Sequence, residues 1–424
     1  MIKKYVIAIL CCTAFGVHAQ NGTISPYSYF GIGDFRNQSS VENQMMGGIS
    51  VLSDSIHLNF RNPASYSKLA LTTYTMSLSN ENLFLKTYDQ YQSSAFTNLD
   101  YLAIGIPLSK GLGAGFGAMP VSSKGYKVAS SGTVPQGELG ELKNTFGGTG
   151  GISKIFMSVG YDIIPNLGLG ITANYNFGNL ETQVFQLVEN VQYGVFDRRY
   201  SRVTGFDFNY GAQYTTTIKD RFTFYSSLDV HTQSNLVSVN RQEVGSYSLS
   251  TGQDIEVVNV DLAAKGMDRT AVKIPTTTTL GVGIGQDNRW FLGAEYSFQD
   301  MGKLRNDFGD LPDDISYGKA PNFALGGYVI PDYNSFTSYL KRVTYRAGLH
   351  ITKTGMIINE KEINDFGITF GAGLPLVNSF SNINLGFEVG RQGTTDAGLV
   401  EETYFKVSLG LSLNDKWFKK RKIN

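Results

Sequence analysis

Asp207, Glu295, Arg346, Glu388 and Lys406 stand on the polar side of stretches in which every second residue is apolar. Charges gathered on one face of a sheet can serve acid-base chemistry, metal ligation or ion pairing. The first two find little support. The histidines beyond residue 20 are His57, His231 and His350, scattered without metal-ligand spacing and without a nucleophile motif beside them. Gly281-Val282-Gly283-Ile284-Gly285 lies within a strand pattern with no helix after it, so it is no phosphate loop. Cys11 and Cys12 both fall in an N-terminal apolar run, which leaves no thiol for ligation or disulfides once that run is removed. The expectation is no enzyme, no metal and no cofactor. Two uses remain for the charges: an ion-pair network bracing the strands against a segment packed inside them, or an anchor, Arg346 or Lys406, for a carboxylate-bearing cargo.

The elements that position these residues are strands. Near the C-terminus Phe405, Val407, Leu409, Leu411 and Leu413 share one face, while Tyr404, Lys406, Ser408, Gly410 and Ser412 share the other. The same split recurs over 167–177, 206–214, 290–298 and 383–389. Fourteen strands are predicted, at 69–79, 97–108, 112–127, 152–163, 167–188, 202–218, 222–239, 272–285, 289–299, 322–330, 342–352, 364–374, 382–391 and 403–413. Tight or moderate turns alternate with longer segments at 80–96, 128–151, 189–201, 240–271, 300–321, 353–363 and 392–401. A soluble sandwich has no reason to sort its loops by length, whereas an outer-membrane barrel does.

Composition agrees with an all-β transmembrane class. The 424 residues carry zero formal net charge, 17% charged residues, 12% aromatics and 48 glycines. Nothing basic points to nucleic acid, and no later apolar run is long enough for a membrane helix. Residues 1–19 have the parts of a secretory signal: Lys3 and Lys4, an apolar run over 5–16, and Val17-His18-Ala19 for cleavage. The expected organisation is a signal at 1–19, an interior segment at 20–66, a barrel at 67–414 and a periplasmic tail at 415–424. Both termini would lie in the periplasm of a Gram-negative cell.

A fourteen-stranded wall leaves a hole unless something fills it, and 20–66 reads as the occupant. Gly47 and Gly48, followed by the Asn62-Pro63-Ala64 turn, resemble the N-terminal hatch of the FadL/TodX family of outer-membrane barrels. The runs Val343 to Gly348, Asn364 to Ile368 and Asn414 to Phe418 look like FadL-like barrels of one Gram-negative lineage. Against better-studied transporters this chain departs by continuing beyond its last strand. Trp417 and Phe418 would meet the membrane interface there, with residues 419–422 in water.

The resemblance implies passive uptake of hydrophobic, fatty-acid-like small molecules through a plugged barrel, with membrane lipid as the other contact. In that family a kink in the third strand opens a side passage. Gly115, Gly117 and Pro120 are the candidates here, although the glycines could equally let the plug approach the wall closely. The alternative is a barrel that transports nothing and serves as a subunit or shuttle of an outer-membrane protein secretion or assembly complex. Segments 128–151 and 240–271 would then dock other outer-membrane proteins.

Overall fold

Two-residue alternation makes one face of each strand apolar, and the chain closes fourteen such strands into one antiparallel barrel. The structure, a computed structural model, describes residues 22–133, 140–219, 221–309, 314–377 and 379–416. The expected signal at 1–19 and the aromatic-basic stretch at 417–422 lie outside the described residues.

The wall begins with β1 (Thr72–Lys86), β2 (Tyr91–Ser109), β3 (Leu112–Thr133), β4 (Glu141–Ile164), β5 (Leu167–Val188) and β6 (Tyr193–Ile218). Next comes β7 (Phe222–His231, resuming as Ser234–Ser248), then β8 (Arg269–Ile274, resuming as Thr277–Gln286). The circuit finishes with β9 (Trp290–Asp300), β10 (Lys319–Val329), β11 (Thr344–Ile358), β12 (Lys361–Pro375), β13 (Asn382–Gly393) and β14 (Glu401–Asp415). Each strand pairs with its neighbour, and β1 pairs with both β2 (Thr73↔Gly105) and β14 (Thr72↔Asp415), which closes the ring.

The two faces are inverted relative to a soluble protein. Outward Phe206, Leu292, Phe298, Phe370 and Leu409 are exposed, whereas inward Thr172, Asn174, Asp207, Glu295 and Ser408 are buried. An apolar outer belt over a polar interior is stable only where hydrocarbon surrounds the wall. No helix among the described residues is long and apolar enough to cross a membrane; the wall crosses with strands.

The expected long segments need correction. Most of 80–96, 128–151, 189–201 and 353–363 is strand, because β1 to β4, β6, β11 and β12 run on well past the belt. Segment 240–271 is likewise largely paired: Ser234–Ser248 continues along β6, and a further strand, Asp254–Asn259, lies beside it. The cause is physical. Beyond the belt both faces are wet, as at outward Glu181 and inward Gln186 of β5, both exposed, so the apolar alternation that betrays a strand disappears while the ladder persists. At 22 residues β5 spans roughly 70 Å, far more than the belt of about 25 Å requires.

The first wall strand also starts at Thr72, not at 69. Leu69 and Leu71 imitate a strand, but both are buried inside and follow a 3₁₀ helix, Pro63–Lys68.

Phe387 sits mid-strand on the lipid side of β13. Phe387→Arg is expected to cost about 2–4 kcal/mol of folding free energy in vesicles. Gln183→Arg, outward but beyond the belt, should change it by less than about 0.5 kcal/mol; urea titration of refolding into vesicles compares the two.

Candidate functional site: the filled lumen

Residues 22–71 lie against the inward face of the wall, and local sequence explains how they turn there. Ser40 caps the short helix Val41–Gln44 by accepting from the Asn43 amide. Gly47 and Gly48 then take φ of +71° and +86°, a region costly for any other residue, and reverse the chain. At this turn the backbone of Met46 and Gly47 rests on Gly326 of β10 and Gly348 of β11, where a Cβ would come within 2.1 and 2.3 Å. Asn62 caps the next turn, its side chain accepting from the Ala64 amide at 3.0 Å, with Pro63 at the first helical position.

This segment touches every wall strand. On β1 the Thr73 hydroxyl donates to the Ile56 carbonyl, and on β2 the Tyr101 hydroxyl accepts from the Val41 amide. Tyr66 lies on Gly113 and Gly115 of β3, Gln38 meets Lys154 of β4, and Pro63 lies on Gly170 of β5. Gln213 of β6 donates to the Val51 carbonyl, and Val51 packs with Tyr225 of β7 and Phe291 of β9. Thr279 of β8 accepts from Arg61, and Thr369 of β12 accepts from the Gly47 amide at 3.0 Å.

Two buried carboxylates hold the strongest of these contacts. Glu42, inside, accepts from Asn384 of β13 at 2.8 Å and from Ser412 of β14 at 3.0 Å. Glu295, on β9, accepts from the Ser50 hydroxyl at 2.9 Å, and its other oxygen lies 3.4 Å from Arg61 Nη1. Arg61 also donates to the Gly48 carbonyl at 2.7 Å, so one guanidinium ties the glycine turn to two wall strands. Nearby, His57 Nδ1 pairs with Asp54. Burial alone would raise the Asp54 carboxyl, but the charge and hydrogen bond of His57 outweigh it and hold Asp54 down at about 2. Burial also pushes His57 down, yet Asp54 and then Glu42 lift it above its ordinary value, against the opposing charge of Arg346.

The other two histidines are likewise paired with carboxylates, His231 with Asp207 at 2.9 Å and His350 with Asp365 at 3.0 Å. Among the described residues no group of three or more His, Asp or Glu could hold a metal. Arg346 is buried and donates to Asn384 at 3.1 Å, and Lys406 faces inward opposite Glu388 in the ladder. Neither lines either of two cavities found among the described residues. One, about 330 Å³, is walled by charged Arg61, Lys353 and Asp365 as well as by Phe30, Met301 and Met356. The other, about 240 Å³, lies beside Tyr29 and Lys124.

Gly115, Gly117 and Pro120 fall where the wall changes. β2 and β3 pair from Ser109↔Leu112 to Leu102↔Ala118 and then part, and the β3–β4 register shifts between Pro120 and Ser122. Gly115 faces the Tyr66 ring and Gly117 the side chains of Ala103 and Phe156. Beyond the parting, interior residues pair with the freed edge of β3: Asp34↔Ser123, Phe35↔Ser122, and the Arg36 amide to the Val121 carbonyl at 2.9 Å. Sequence reasoning missed Glu42 and Arg61, because 20–66 has no period to say which side chains face the wall.

The model of the BamG family matches residues 1–424. No characterised protein matches at the level of sequence. Among solved structures the chain is similar to the CymD monoaromatic hydrocarbon channel, with TM-score 0.58 and 12% identity over 91% of this chain and 100% of that one. It is also similar to a FadL homologue of Pseudomonas aeruginosa (TM-score 0.55, 13% identity, 90% of this chain and 98% of that one). A third is the Pseudomonas putida toluene transporter TodX (TM-score 0.56, 13% identity, 90% and 99%). At such identity the likeness is one of fold: an outer-membrane β-barrel of the FadL/TodX type.

Breaking a buried ion pair from one side leaves the other charge stranded. Arg61→Met should therefore weaken docking of residues 22–71 by about 3 kcal/mol, read as a lower urea midpoint for release of that segment while the belt strands unfold where they did before. The same midpoint should depend on pH. Asp54, lowered when folded, adds stability that is complete above the unfolded carboxylate value and lost as pH falls toward about 2. His57, raised when folded, adds stability that is complete below the unfolded imidazole value and lost as pH rises through its folded value. The midpoint is expected to be highest between roughly pH 4 and 6.5, and His57→Asn should remove the alkaline decline.

Proposed function

This chain belongs to the BamG family, and from that premise we propose that it is a FadL-like barrel with a shut lumen, acting as a structural subunit of an outer-membrane protein assembly or secretion complex. Residues 20–66 are its plug. One observation carries the reading: the interior segment contacts all fourteen strands, and its buried charges are satisfied by the wall itself rather than left for a cargo. An apolar cargo needs an apolar slot, and the larger cavity is walled by Arg61, Lys353 and Asp365. The match to the BamG family model supports the same reading. With 1–19 as export signal both termini lie in the periplasm, and the strand ends beyond the belt face outward. There the free edge of Asp254–Asn259, with Ile255, Val257 and Val258 exposed, offers a docking ridge for another outer-membrane protein.

A second reading, passive entry of hydrophobic small molecules, is favoured by the parting of β2 from β3 at Leu102 and Ala118. It also draws on the fold shared with the CymD and TodX channels. In that case Gly115, Gly117 and Pro120 frame a side passage, and Phe35 stands in it.

Native purification followed by mass spectrometry of proteins and lipids separates the two. The subunit reading expects other outer-membrane proteins at fixed stoichiometry and no retained small amphiphile. A lone chain carrying lipid in its lumen, whose liposomes leak hydrophobic tracer before and after deletion of 20–66 alike, would overturn it.

A further inference from the structure

Past its parting from β2, strand β3 runs among interior residues, and Lys124 is carried with it. Its neighbours are fastened to residues 22–36: the Gly125 amide donates to the Ser28 hydroxyl at 3.2 Å, and the Ser122 hydroxyl donates to the Ile32 carbonyl at 2.9 Å. Lys124 is 5% exposed. Among the described residues its ammonium has no ion-pair or hydrogen-bond partner, and the ring of Tyr126 is 5.7 Å away. A lysine this deeply buried without a counter-ion costs stability, and the cavity its ammonium lines is the route by which a counter-charge can reach it.

The ammonium lines the cavity of about 240 Å³. The other charges there are already matched: Asp197 accepts from Arg199 at 3.0 Å and from Gln242 at 2.9 Å, and Arg305 pairs with Asp307. Lys124 is left as the uncompensated charge. Across the cavity the Tyr317 hydroxyl also lacks a partner among the described residues, and Tyr29, Leu180, Leu304 and Phe308 supply apolar surface. On the outer side of the wall at this height Glu181 and Gln183 are exposed, so the cavity lies beyond the lipid belt and is reached from water.

We propose that this cavity binds a small amphiphilic anion, an oxyanion head on an apolar body about one ring in size, with Lys124 as counter-charge and Tyr317 as hydrogen-bond donor. The head would take a charge-assisted bond from the ammonium, and the body would cover Leu180 and Phe308. The site lies beside the contacts that fasten residues 28–32 to β3 and does not include Glu42, Arg61 or Glu295.

The test uses the full chain in a neutral detergent, with benzoate as probe, benzyl alcohol as its uncharged counterpart and inorganic phosphate as a head without a body. Benzoate at millimolar concentration should raise the melting temperature saturably, and the other two should not. Lys124→Met should raise the melting temperature of the unliganded protein, since it removes a stranded charge, and should abolish the benzoate shift. Tyr317→Phe, which alters no buried charge, should weaken benzoate about tenfold, and it keeps the question decidable if the lysine variant does not fold. Equal stabilisation by benzyl alcohol or by phosphate, no benzoate effect on the natural chain, or an undiminished shift in both variants would overturn the proposal.

Discussion

Hydrocarbon offers no partner to a peptide group, and the rest of this structure depends on that constraint. Every N–H and C=O at belt height must be paired within the wall, which dictates a closed ring of strands. Closure with apolar residues outward turns the polar residues in. Fourteen strands then enclose more space than their own side chains fill. The interior segment is therefore the partner of inward Thr73, Gln213, Glu295 and Thr369. Its use of main-chain groups as well as side chains follows from the same need: Ser50 and Gly47 offer amides, Val51 and Gly48 carbonyls, each to an inward polar group or to Arg61.

The parting of β2 and β3 is where this rule is under most tension. Two strand edges lose each other above Leu102 and Ala118, and a proline cannot donate to any ladder. The wall does not heal the gap; the interior does. The two-residue strand Asp34–Phe35 takes up the edge of β3, and Asn98 of β2 donates to the Gly22 carbonyl at 3.1 Å on the other side. Arg36 adds a contact over the ring of Phe96 at 5.9 Å. Phe35 is left 39% exposed and lines the cavity of about 330 Å³.

The wall was legible in the sequence and the interior largely was not, for one reason. A strand between oil and water writes its environment into every second residue, as in Phe405 to Leu413, and that pattern placed all fourteen strands. The record fails where both sides are alike. Past the belt, water on both faces hid the outer halves of β3 and β4. Inside, contact on all sides made Leu69 and Leu71 look like strand. Asn62-Pro63-Ala64 was readable because its turn is local, whereas the Arg61–Glu295 pair joins residues 234 apart and leaves no mark on either neighbourhood. The bracing of wall against interior considered for the inward charges fits Glu295, which holds Ser50 and Arg61, whereas Arg346 donates to Asn384, itself on the wall.

A shared fold with hydrocarbon channels does not by itself make a conduit; what matters is how firmly the interior is held. Moving a two-state element from 1:99 to 99:1 takes about 5.5 kcal/mol of differential binding. Hydrogen bonds to charged groups are worth about 1.5–3 kcal/mol each. Glu42 and Glu295 together accept from Asn384, Ser412 and both the amide and hydroxyl of Ser50, besides facing Arg61. Even with strong non-additivity, withdrawing this segment opposes more energy than a small apolar ligand, with no charge of its own to offer those groups, can return. A protein docked over an extended face of the barrel has interface area enough to do so. What holds the lumen in this state is accordingly the set of contacts between the interior segment and the wall, with Glu42 and Glu295 at their centre.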